Sequence, residues 1–571
     1  MKETKKKRFA ALCLTVIMIM TFASGITVSA DDRSANNKAD YVATDVCIRE
    51  MGYKNTQDAA EEPGQEVTEP AAKIGEKEYE TIYDAVADAA EGAVIYVQKD
   101  IELDGNIWIE YGKKVTIDLG GHTLIQNNNN FAIVVIDEGS ELTLQNGSVA
   151  GTTQKSLLIT SEAKITTKNL KISGAKGIQV GQAGVWGEAV IEEGTEITAE
   201  KQGIVVAGAS LDPNLENVSK VSKLTVNGGS ISGEIIGISG NGSQHGTEIT
   251  IYNGTINGGE LGIYHPQLGT MNILGGAITG PTGIEIRAGE LNVSGSAVIK
   301  GTAAPLEVHP SESGNTTTGA GIAVIQHSTK LPVIVNIEGG TIQGYSALYE
   351  ANPEKNEAEA IAKVEINIAA GAFEAINGGS EAVYSEDVEH FVHGGNYSDP
   401  VEKKYLSENL TAELMKAGSN VPYSYYESVD DALAKAVWGD VVTDLTDPSS
   451  NVVITLKNGY DDHSLTIKSR SITLPTYQRE GYKFLGWSDG AKQYKAGEVI
   501  KVTQNTVFTA LWESNTAKPE KPEEPPKPSK PGQTTPPKTG DEAHVSIYIL
   551  AILMGTMMLA GAYATKKKNN E

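Results

Sequence analysis

Polar and aromatic side chains follow short Gly-Ile runs at several points in the middle of the chain, and they are the residues best suited to contact a ligand. They are Tyr264, His265, Arg287, His309 and His327, with the acids Glu285 and Glu307 beside them. Histidine, arginine and tyrosine can hydrogen-bond to sugar hydroxyls, and tyrosine can stack on a sugar ring. If the repeats stack in register, these residues form a polar column on one outer face. The alternative is that they are ordinary outward residues of a solvated sheet.

The element that must position these residues is a repeat, shown most clearly by Leu224 to Gly240, LTVNGGSISGEIIGISG. It has an alternating apolar strand, a small-residue turn, a second strand and a Gly-Ile run that begins a third. The apolar residue after each turn recurs mostly every 20 to 25 residues, which is the length of one coil of a parallel β-helix. These markers are Leu124, Val149, Ile172, Ile197, Ile231, Ile256, Ile278, Val298, Ile342, Phe373 and Tyr397.

Longer intervals between markers predict insertions on the outside, at 209–222, 309–318 and 352–360. The interval from Val298 to Ile342 has room for an extra coil through Gly321 to Gln326. Asn146, Asn169 and Asn253 stand three residues before their markers, and we expect an inward asparagine ladder there. Between residues 115 and 390 no helix of ten residues is predicted, which disfavours an ordinary α/β sheet.

This pattern resembles the right-handed pectate-lyase-like β-helix family in its architecture. That resemblance implies a mainly β fold with short helical caps, and its members often cleave acidic polysaccharides. A lyase needs a carboxylate cluster for calcium and a basic residue, and a hydrolase needs paired carboxylates. Neither constellation is found in the sequence, so no catalytic residue, metal site or cofactor is predicted. If the chain does cleave glycans, Glu285 and Glu307 are the acids to test.

Domain boundaries follow from shifts in composition. Residues 1–30 read as a signal peptide cleaved after Ala30, with a retained membrane helix as the alternative. An acidic, disordered leader (31–71) and an N-terminal cap (72–114) precede the parallel β-helix (115–401). The cap contains an amphipathic helix, Tyr79 to Ala90, and a similar helix-glycine-strand pattern in Tyr426 to Leu445 predicts a second cap or bridge at 402–451.

Residues 452–513 form a small β module with the signature ITLPTYQREGYKFLGW from Ile472 to Trp487 and NTVFTALW from Asn505 to Trp512. This signature resembles the internalin B-repeat, also called the Listeria-Bacteroides repeat, and implies a small ubiquitin-like β fold. The tyrosine, phenylalanine and tryptophan side chains are predicted to be core rather than a ligand platform.

A stiff proline-rich linker (514–535) leads to a terminal segment (536–571) in which Pro536, Pro537, Lys538, Thr539 and Gly540 precede an apolar stretch and three lysines. The order of these parts resembles the sorting signal of Gram-positive surface proteins, an LPxTG-type pentapeptide before a membrane helix and a basic tail. The resemblance implies a sortase that cuts between Thr539 and Gly540 and joins Thr539 to the peptidoglycan cross-bridge. Pro536 replaces the usual leucine, which leaves the sortase class open, and simple membrane anchoring is the alternative.

Charge and cysteine content limit the partners further. The formal net charge of −26 disfavours nucleic acid and anionic membranes. Cys47 would be the single cysteine after signal cleavage, so no internal disulfide is expected. We therefore expect a secreted, cell-wall-anchored, non-catalytic surface protein that binds a glycan or a host protein. A polysaccharide lyase or hydrolase and a purely structural wall component remain as alternatives.

Overall fold

The repeated units fold into a solenoid of parallel strands in the computed structural model, which describes residues 69–110, 112–137, 139–212, 218–242, 244–311, 314–447 and 451–515. The predicted signal peptide, nearly all of the leader and linker, and the whole predicted sorting signal lie outside the described residues. Within the described residues, no helix is long and apolar enough to cross a membrane. The predicted membrane helix, 545–564, lies outside them.

Strands dominate the chain, and the few helices are short. In chain order the elements are β1 (Ala72–Ile74), β2 (Lys77–Tyr79), α1 (Ile82–Asp88), β3 (Val94–Val97), β4 (Ile101–Glu102), β5 (Ile107–Ile109), β6 (Lys114–Asp118), β7 (Thr123–Ile125), β8 (Val134–Ile136), β9 (Glu141–Ala150), β10 (Ser156–Thr160), β11 (Lys164–Val180), β12 (Glu188–Ile191), β13 (Glu196–Val206), β14 (Ser222–Val226), β15 (Ser230–Gly233), β16 (Ile236–Gly240), β17 (Thr247–Ile251), β18 (Thr255–Gly258), β19 (Leu261–His265), β20 (Gly269–Ile273), β21 (Ala277–Gly280), β22 (Thr282–Ile286), β23 (Gly289–Val293), β24 (Val298–Gly301), β25 (Glu307–Ser311), β26 (Gly314–Thr318), β27 (Ala320–Ile325), β28 (Val333–Gly344), β29 (Ser346–Ala351), α2 (Ala358–Ile361), β30 (Val364–Ala375), β31 (Val383–Ser385), β32 (Asn396–Tyr397), a 3₁₀ turn (Lys403–Tyr405), β33 (Ala412–Met415), β34 (Tyr423–Tyr426), α3 (Val429–Lys435), β35 (Val441–Asp444), β36 (Ile454–Lys457), β37 (Ser464–Lys468), β38 (Ser471–Thr473), β39 (Tyr482–Ser488), β40 (Gln493–Tyr494), β41 (Val499–Lys501) and β42 (Thr506–Ser514).

Each coil contributes three strands, and the strands of successive coils pair to form three parallel ladders. We call them ladders A, B and C. Long strands such as β11 turn the corners and so belong to more than one ladder. Ladder A runs through β3, β6, β9, β11, β12, β14, β17, β20, β23, β28 and β30. Ladder B runs through β4, β7, β9, β11, β13, β15, β18, β21, β24, β28, β30 and β32. Ladder C runs through β5, β8, β10, β11, β13, β16, β19, β22, β27, β29 and β31.

The predicted coil markers lie on ladder B in register, with one error. Ile256 pairs with Ile278, and Ile278 pairs with Ile299 rather than Val298. Val298 points outward and is 38% exposed, whereas Ile299 is buried. Ile299 pairs directly with Ile342 on the next coil, so the predicted extra coil at Gly321 to Gln326 is wrong. The long interval instead contains the hairpin β25–β26 and the ordinary ladder C strand β27.

A column of glycines explains why a Gly-Ile run lies in several successive ladder C strands. A Cβ atom on Gly262 would lie 2.5 Å from the Gly283 carbonyl oxygen and 2.8 Å from Ile278 Cγ2 on the next coil. Real Cβ atoms do not approach other atoms so closely, so only glycine fits without a shift of the coils. The same contacts with the next coil recur at Gly203, Gly237, Gly283 and Gly321.

The outer face of ladder A carries two regular columns. The first column consists of threonines followed by asparagines, which lie in register: Thr225, Thr250, Asn272, Asn292 and Asn336. Asn336 donates to Asn292 at 3.0 Å, and Asn292 donates to Asn272 at 3.1 Å. The neighbouring column alternates lysine and glutamate, with ion pairs Lys114–Glu141, Lys164–Glu188 and Lys223–Glu248 of 2.7, 2.7 and 2.9 Å.

The predicted asparagine ladder is only partly found. Asn169 donates to Asn146 at 3.4 Å, but both lie at a surface corner with positive φ angles of 46° and 60° rather than facing inward. Asn253 is exposed. Asn146 and Asn169 therefore make tight turns, and the well-formed amide ladder lies at Asn272, Asn292 and Asn336.

The same arrangement of elements is found near both ends of the solenoid. In the first, β1 pairs antiparallel with β2 and β3, and α1 begins at its N-cap Thr81. In the second, β33 pairs antiparallel with β34 and β35, and α3 begins at its N-cap Ser428. The two predicted helices are therefore confirmed, although α1 has only the central part of the span predicted for it, Tyr79 to Ala90. The first coil already begins at β3, inside the region predicted to be a cap.

The final β module shares one hydrophobic core with the elements β33, α3 and β35 that precede it. β36 pairs antiparallel with β37 and parallel with β42. Trp487 is fully buried and its Nε1 donates to the Pro475 carbonyl oxygen at 2.8 Å. Phe508 is also buried, but Tyr460 and Tyr482 are 46% and 37% exposed, so the prediction that the aromatic residues are core holds for only some of them.

We predict that Gly262→Ala lowers the free energy of unfolding by about 2 to 3 kcal/mol, because the added methyl group is overpacked against Gly283 and Ile278. Urea unfolding followed by far-UV circular dichroism measures the change. The matched control is Gly105→Ala, where the nearest atom to a new Cβ is 4.0 Å away and the backbone is not in the left-handed region. Equal effects of the two substitutions would contradict the role given to the glycine column.

Candidate functional site

The outer side of ladder C is where the structure places part of the predicted ligand face. Pairing registers put its outward residues in one column, from Ser239 through Tyr264, Glu285 and Ala323 to Tyr349 and Tyr384. Three tyrosines of this column are half-buried, so part of each ring reaches solvent. In the sequence, the segments that connect ladder C to ladder A follow these strands. The hairpin β25–β26 comes just before the ladder C strand β27.

His265 does not belong to this outer column, and the prediction that it faces outward is wrong. It lies two residues after the buried Ile263, so strand alternation turns it inward, where it pairs in register with the buried Ile286. Its Nδ1 lies 2.9 Å from the Ala288 carbonyl oxygen. Because a carbonyl oxygen only accepts, Nδ1 carries the proton. Nε2 is buried and has no hydrogen-bond partner among the described residues.

Tyr264, Glu285 and Arg287 are brought together, but Glu285 and Arg287 are buried rather than open to a ligand, whereas Tyr264 is half-buried. Arg287 Nε and Nη2 lie 2.9 and 2.7 Å from Glu285 Oε1, and both side chains are buried. The Arg287 guanidinium lies 4.9 Å from the centre of the Tyr264 ring. Breaking this ion pair would leave a buried charge without a partner, which costs free energy.

The hairpin β25–β26 covers Glu285 and reaches its second oxygen. Thr316 Oγ1 donates to Glu285 Oε2 at 2.9 Å, and the Thr317 backbone N–H donates to it at 2.8 Å. Arg287 is bonded to the other oxygen, so with the hairpin in this position neither oxygen of Glu285 is open to a substrate. The carboxylate instead holds the hairpin against the coil.

The remaining predicted residues lie elsewhere. His309 and Glu307 are exposed residues of β25, and so they belong to the hairpin rather than to the column. His327 follows the end of β27, where its Nδ1 accepts from the Thr329 backbone N–H at 3.3 Å and its carbonyl oxygen accepts from Asn356 at 3.1 Å. The predicted five-residue column is therefore incorrect as a set, because His265 faces inward, His309 lies in the hairpin and His327 lies beyond the end of β27.

No protein-family model matches this chain, and no curated protein or solved structure is significantly similar to it. Its function therefore has to be inferred from the geometry.

The end of the outer column holds an aromatic pair that the sequence pattern did not single out. Tyr349 and Tyr384 stack with ring centres 5.2 Å apart and planes 16° apart. The signal was present, because Ala347, Leu348 and Tyr349 repeat the order of Gly262, Ile263 and Tyr264 on a later coil. The Gly-Ile pattern does not include this strand, because alanine replaces the glycine.

Behind this pair, Glu350 is a fully buried carboxylate. Its Oε2 accepts from Ser385 Oγ at 2.7 Å and from the backbone N–H groups of Glu386 and Asp387 at 3.0 Å each. Gln326 Nε2 donates to Oε1 at 2.9 Å. These bonds fix the start of the loop after β31 and so position Tyr384 at the edge of the solenoid.

The exposed chemistry of the column is therefore that of neutral tyrosines. Burial, together with the charges of neighbouring groups, raises the pKa of Tyr349 to about 12, so its hydroxyl stays protonated at physiological pH. A neutral phenol can donate and accept hydrogen bonds, and its ring can stack on the apolar face of a sugar. Among the described residues, no group of three or more His, Cys, Asp or Glu side chains could hold a metal ion.

We predict that His265 makes the solenoid less stable in mild acid. Burial lowers the pKa of His265 to about 4, whereas an unfolded histidine titrates near 6.5. The unfolded state therefore binds more protons between these values, so stability present above pH 6.5 is lost as the pH falls towards 4. The loss is on the order of 3 kcal/mol.

The test compares urea unfolding of the wild type and His265→Asn from pH 7.5 to pH 4. Asparagine can still donate to the Ala288 carbonyl oxygen but cannot become charged. We expect the variant to show the smaller decrease in unfolding free energy with falling pH. Parallel pH profiles for the two proteins would show that His265 does not carry this effect.

Proposed function

We propose that this chain is a cell-wall-anchored surface protein whose solenoid binds glycan without cleaving it. The observation that carries the proposal is the outer column of ladder C, in which Tyr264, Tyr349 and Tyr384 are half-buried and the last two stack. Rigid, partly exposed aromatic rings on a regular sheet are suited to stacking against sugar rings. They lie on strands of the scaffold, so binding requires little ordering of side chains.

The proposal includes the finer fold of the two described parts. The solenoid is a right-handed parallel β-helix of pectate-lyase-like architecture, a reading supported by three parallel ladders with one strand per coil. The module 452–513 is a ubiquitin-like β unit of the internalin B-repeat type. The antiparallel pair β36–β37 with β42 parallel to β36 supports that reading.

Anchoring rests on the sequence of the chain ends. We propose that the signal peptide is cleaved after Ala30 and that the apolar stretch 545–564 holds the chain in the membrane as a helix until a sortase acts. The sortase would cleave between Thr539 and Gly540, and Thr539 would then be joined to the peptidoglycan cross-bridge. The proline-rich linker, at ~3.1 Å per residue in polyproline II form, could span on the order of 70 Å of wall.

The bonds made by the buried acids near the column favour binding over hydrolysis. Glu285 is paired with Arg287 and bonded to the hairpin, and Glu350 is bonded to Ser385, Gln326 and two backbone N–H groups. A general acid or a nucleophile must reach the substrate, and these carboxylates are enclosed by protein donors. Both acids stabilise the coil surface instead.

We predict that Thr539→Ala shifts the chain from the wall-linked to the membrane fraction in a sortase-bearing Gram-positive host. Muramidase digestion followed by immunoblotting separates the two fractions. Thr535→Ala, four residues upstream in the same linker region, is the matched control and should leave the wall-linked fraction unchanged. Continued wall linkage of the Thr539→Ala chain would refute sorting at this site.

We predict that fragment 72–513 binds glycans on an array and releases no reducing ends or unsaturated products. Tyr384→Ala should weaken binding by up to about tenfold, the order of one aromatic stacking contact. Tyr252→Ala is the control, because Tyr252 is 55% exposed on another face of the solenoid. Product release would establish the enzymatic alternative, and equal binding by both variants would exclude the ladder C column as the site.

A further inference from the structure

We propose that the final β module carries a separate site for a carboxylate-bearing sugar, formed by Arg479, Tyr460 and Tyr482. The carbon at the centre of the Arg479 guanidinium lies 4.1 Å from the centre of the Tyr460 ring and 3.7 Å from that of Tyr482. Both tyrosines are among the exposed large apolar residues of the protein. This cluster is independent of the ladder C column and of the function proposed for it.

Arg479 differs from the other arginines of the described residues. Arg287 is paired with Glu285, and Arg470 is paired with Asp447 at 3.2 Å. Arg479 makes cation–π contacts instead, and among the described residues no carboxylate lies within ion-pair distance of it and no acceptor takes a hydrogen bond from its guanidinium. Its planar set of N–H donors is left for a ligand, in a protein with a large excess of carboxylates.

The nearest acid in the sequence to Tyr460 is already engaged. Asp461 accepts from the His463 backbone N–H at 2.8 Å, lies 2.8 Å from His463 Nδ1, and is bonded to the Asn458 side chain. These bonds lower the pKa of Asp461 to about 2, so it stays ionised and bonded to its own turn. Asp461 is therefore held by other donors rather than neutralising Arg479.

Local structure holds the three residues in place. The Tyr482 backbone N–H donates to the Arg479 carbonyl oxygen at 3.1 Å, and the two residues form an isolated antiparallel bridge. The Tyr460 ring lies edge-on to Trp512 at 6.2 Å, and Trp512 Nε1 donates to the Asn458 carbonyl oxygen at 2.6 Å. The cluster is thus tied to the module at both tyrosines, which reduces the cost of ordering it around a ligand.

The chemistry of the cluster selects the class of ligand. A guanidinium binds a carboxylate through two parallel N–H donors, and tyrosine rings pack on the apolar face of a sugar. One cation in a chain of net charge −26 is insufficient for a polyanion, because long-range repulsion opposes every further negative charge. A mostly neutral glycan with one acidic sugar, either a sialic acid or a uronic acid, satisfies both conditions.

The test uses the full chain purified in mild detergent and titrated with sialyllactose, a uronic-acid trisaccharide and lactose, with binding measured by saturation-transfer NMR and calorimetry. We expect one acidic probe to bind at least tenfold more tightly than lactose. Arg479→Gln should abolish that preference, and Arg479→Lys should restore only part of it, because lysine keeps the charge but lacks the planar donors.

Arg470→Gln is the control, since Arg470 belongs to the same module but is already paired with Asp447. Thermal unfolding of each variant checks that the module remains folded. The proposal is overturned if neither acidic probe is preferred to lactose, or if folded Arg479→Gln keeps the preference. Loss of binding in Tyr384→Ala but not in Arg479→Gln would place the glycan site on ladder C alone.

Discussion

Close stacking of successive coils is the constraint on which the rest of the structure depends, and the glycine column at the start of ladder C sets it. Each of these glycines lies against a backbone carbonyl oxygen of the next coil, that of the next glycine or, for Gly321, that of Ala347, and against the ladder B isoleucine of that coil. A side chain there would push adjacent coils apart and lengthen the hydrogen bonds of every ladder at that level. Because the register is preserved through this contact, a residue in one coil lies directly above its counterpart in the next. Outer columns of like residues follow from that geometry.

Register also explains what could be predicted from the sequence and what could not. The ladder B isoleucines were predictable because apolar residues after glycine-rich turns recur at a nearly constant interval. Sequence alone does not separate Val298 from Ile299 as the marker, because both are β-branched and adjacent, and only the pairing of Ile299 with Ile278 and Ile342 distinguishes them. Strand alternation from Ile263 could have placed His265 inside. The hairpin cover of Glu285 could not have been foreseen, because it depends on contacts with Thr316 and Thr317, about thirty residues away.

The outer faces of ladders A and C differ in ways that bear on ligand binding. Ladder A has lysines and glutamates that satisfy one another along the stack, and such exposed pairs contribute little individually to stability. Their mutual pairing leaves the part of that face from Lys114 to Glu248 with little unmatched charge for a partner. Ladder C has few charges on its outer column, and those of Glu285 and Arg287 are buried together. What remains accessible there is aromatic, which is why recognition on this face should depend on stacking and neutral hydrogen bonds rather than on electrostatic attraction.

The repeated cap arrangement links the solenoid to the module that follows it. The first unit leads into the solenoid, because β3 pairs parallel with β6 of the next coil. The second unit begins in the same way, since β35 pairs parallel with β37, but β37 then pairs antiparallel with β36 and β36 pairs parallel with β42, so the sheet continues into the module instead of into another coil. Meanwhile β34 pairs antiparallel with β32, the last strand of ladder B, and so covers an edge that would otherwise be open to another chain. One fold unit therefore ends the solenoid and begins the module, so the two share a continuous sheet. A ligand site on each, at Tyr384 and at Arg479, would then be carried by one connected scaffold rather than by two parts joined through a flexible linker.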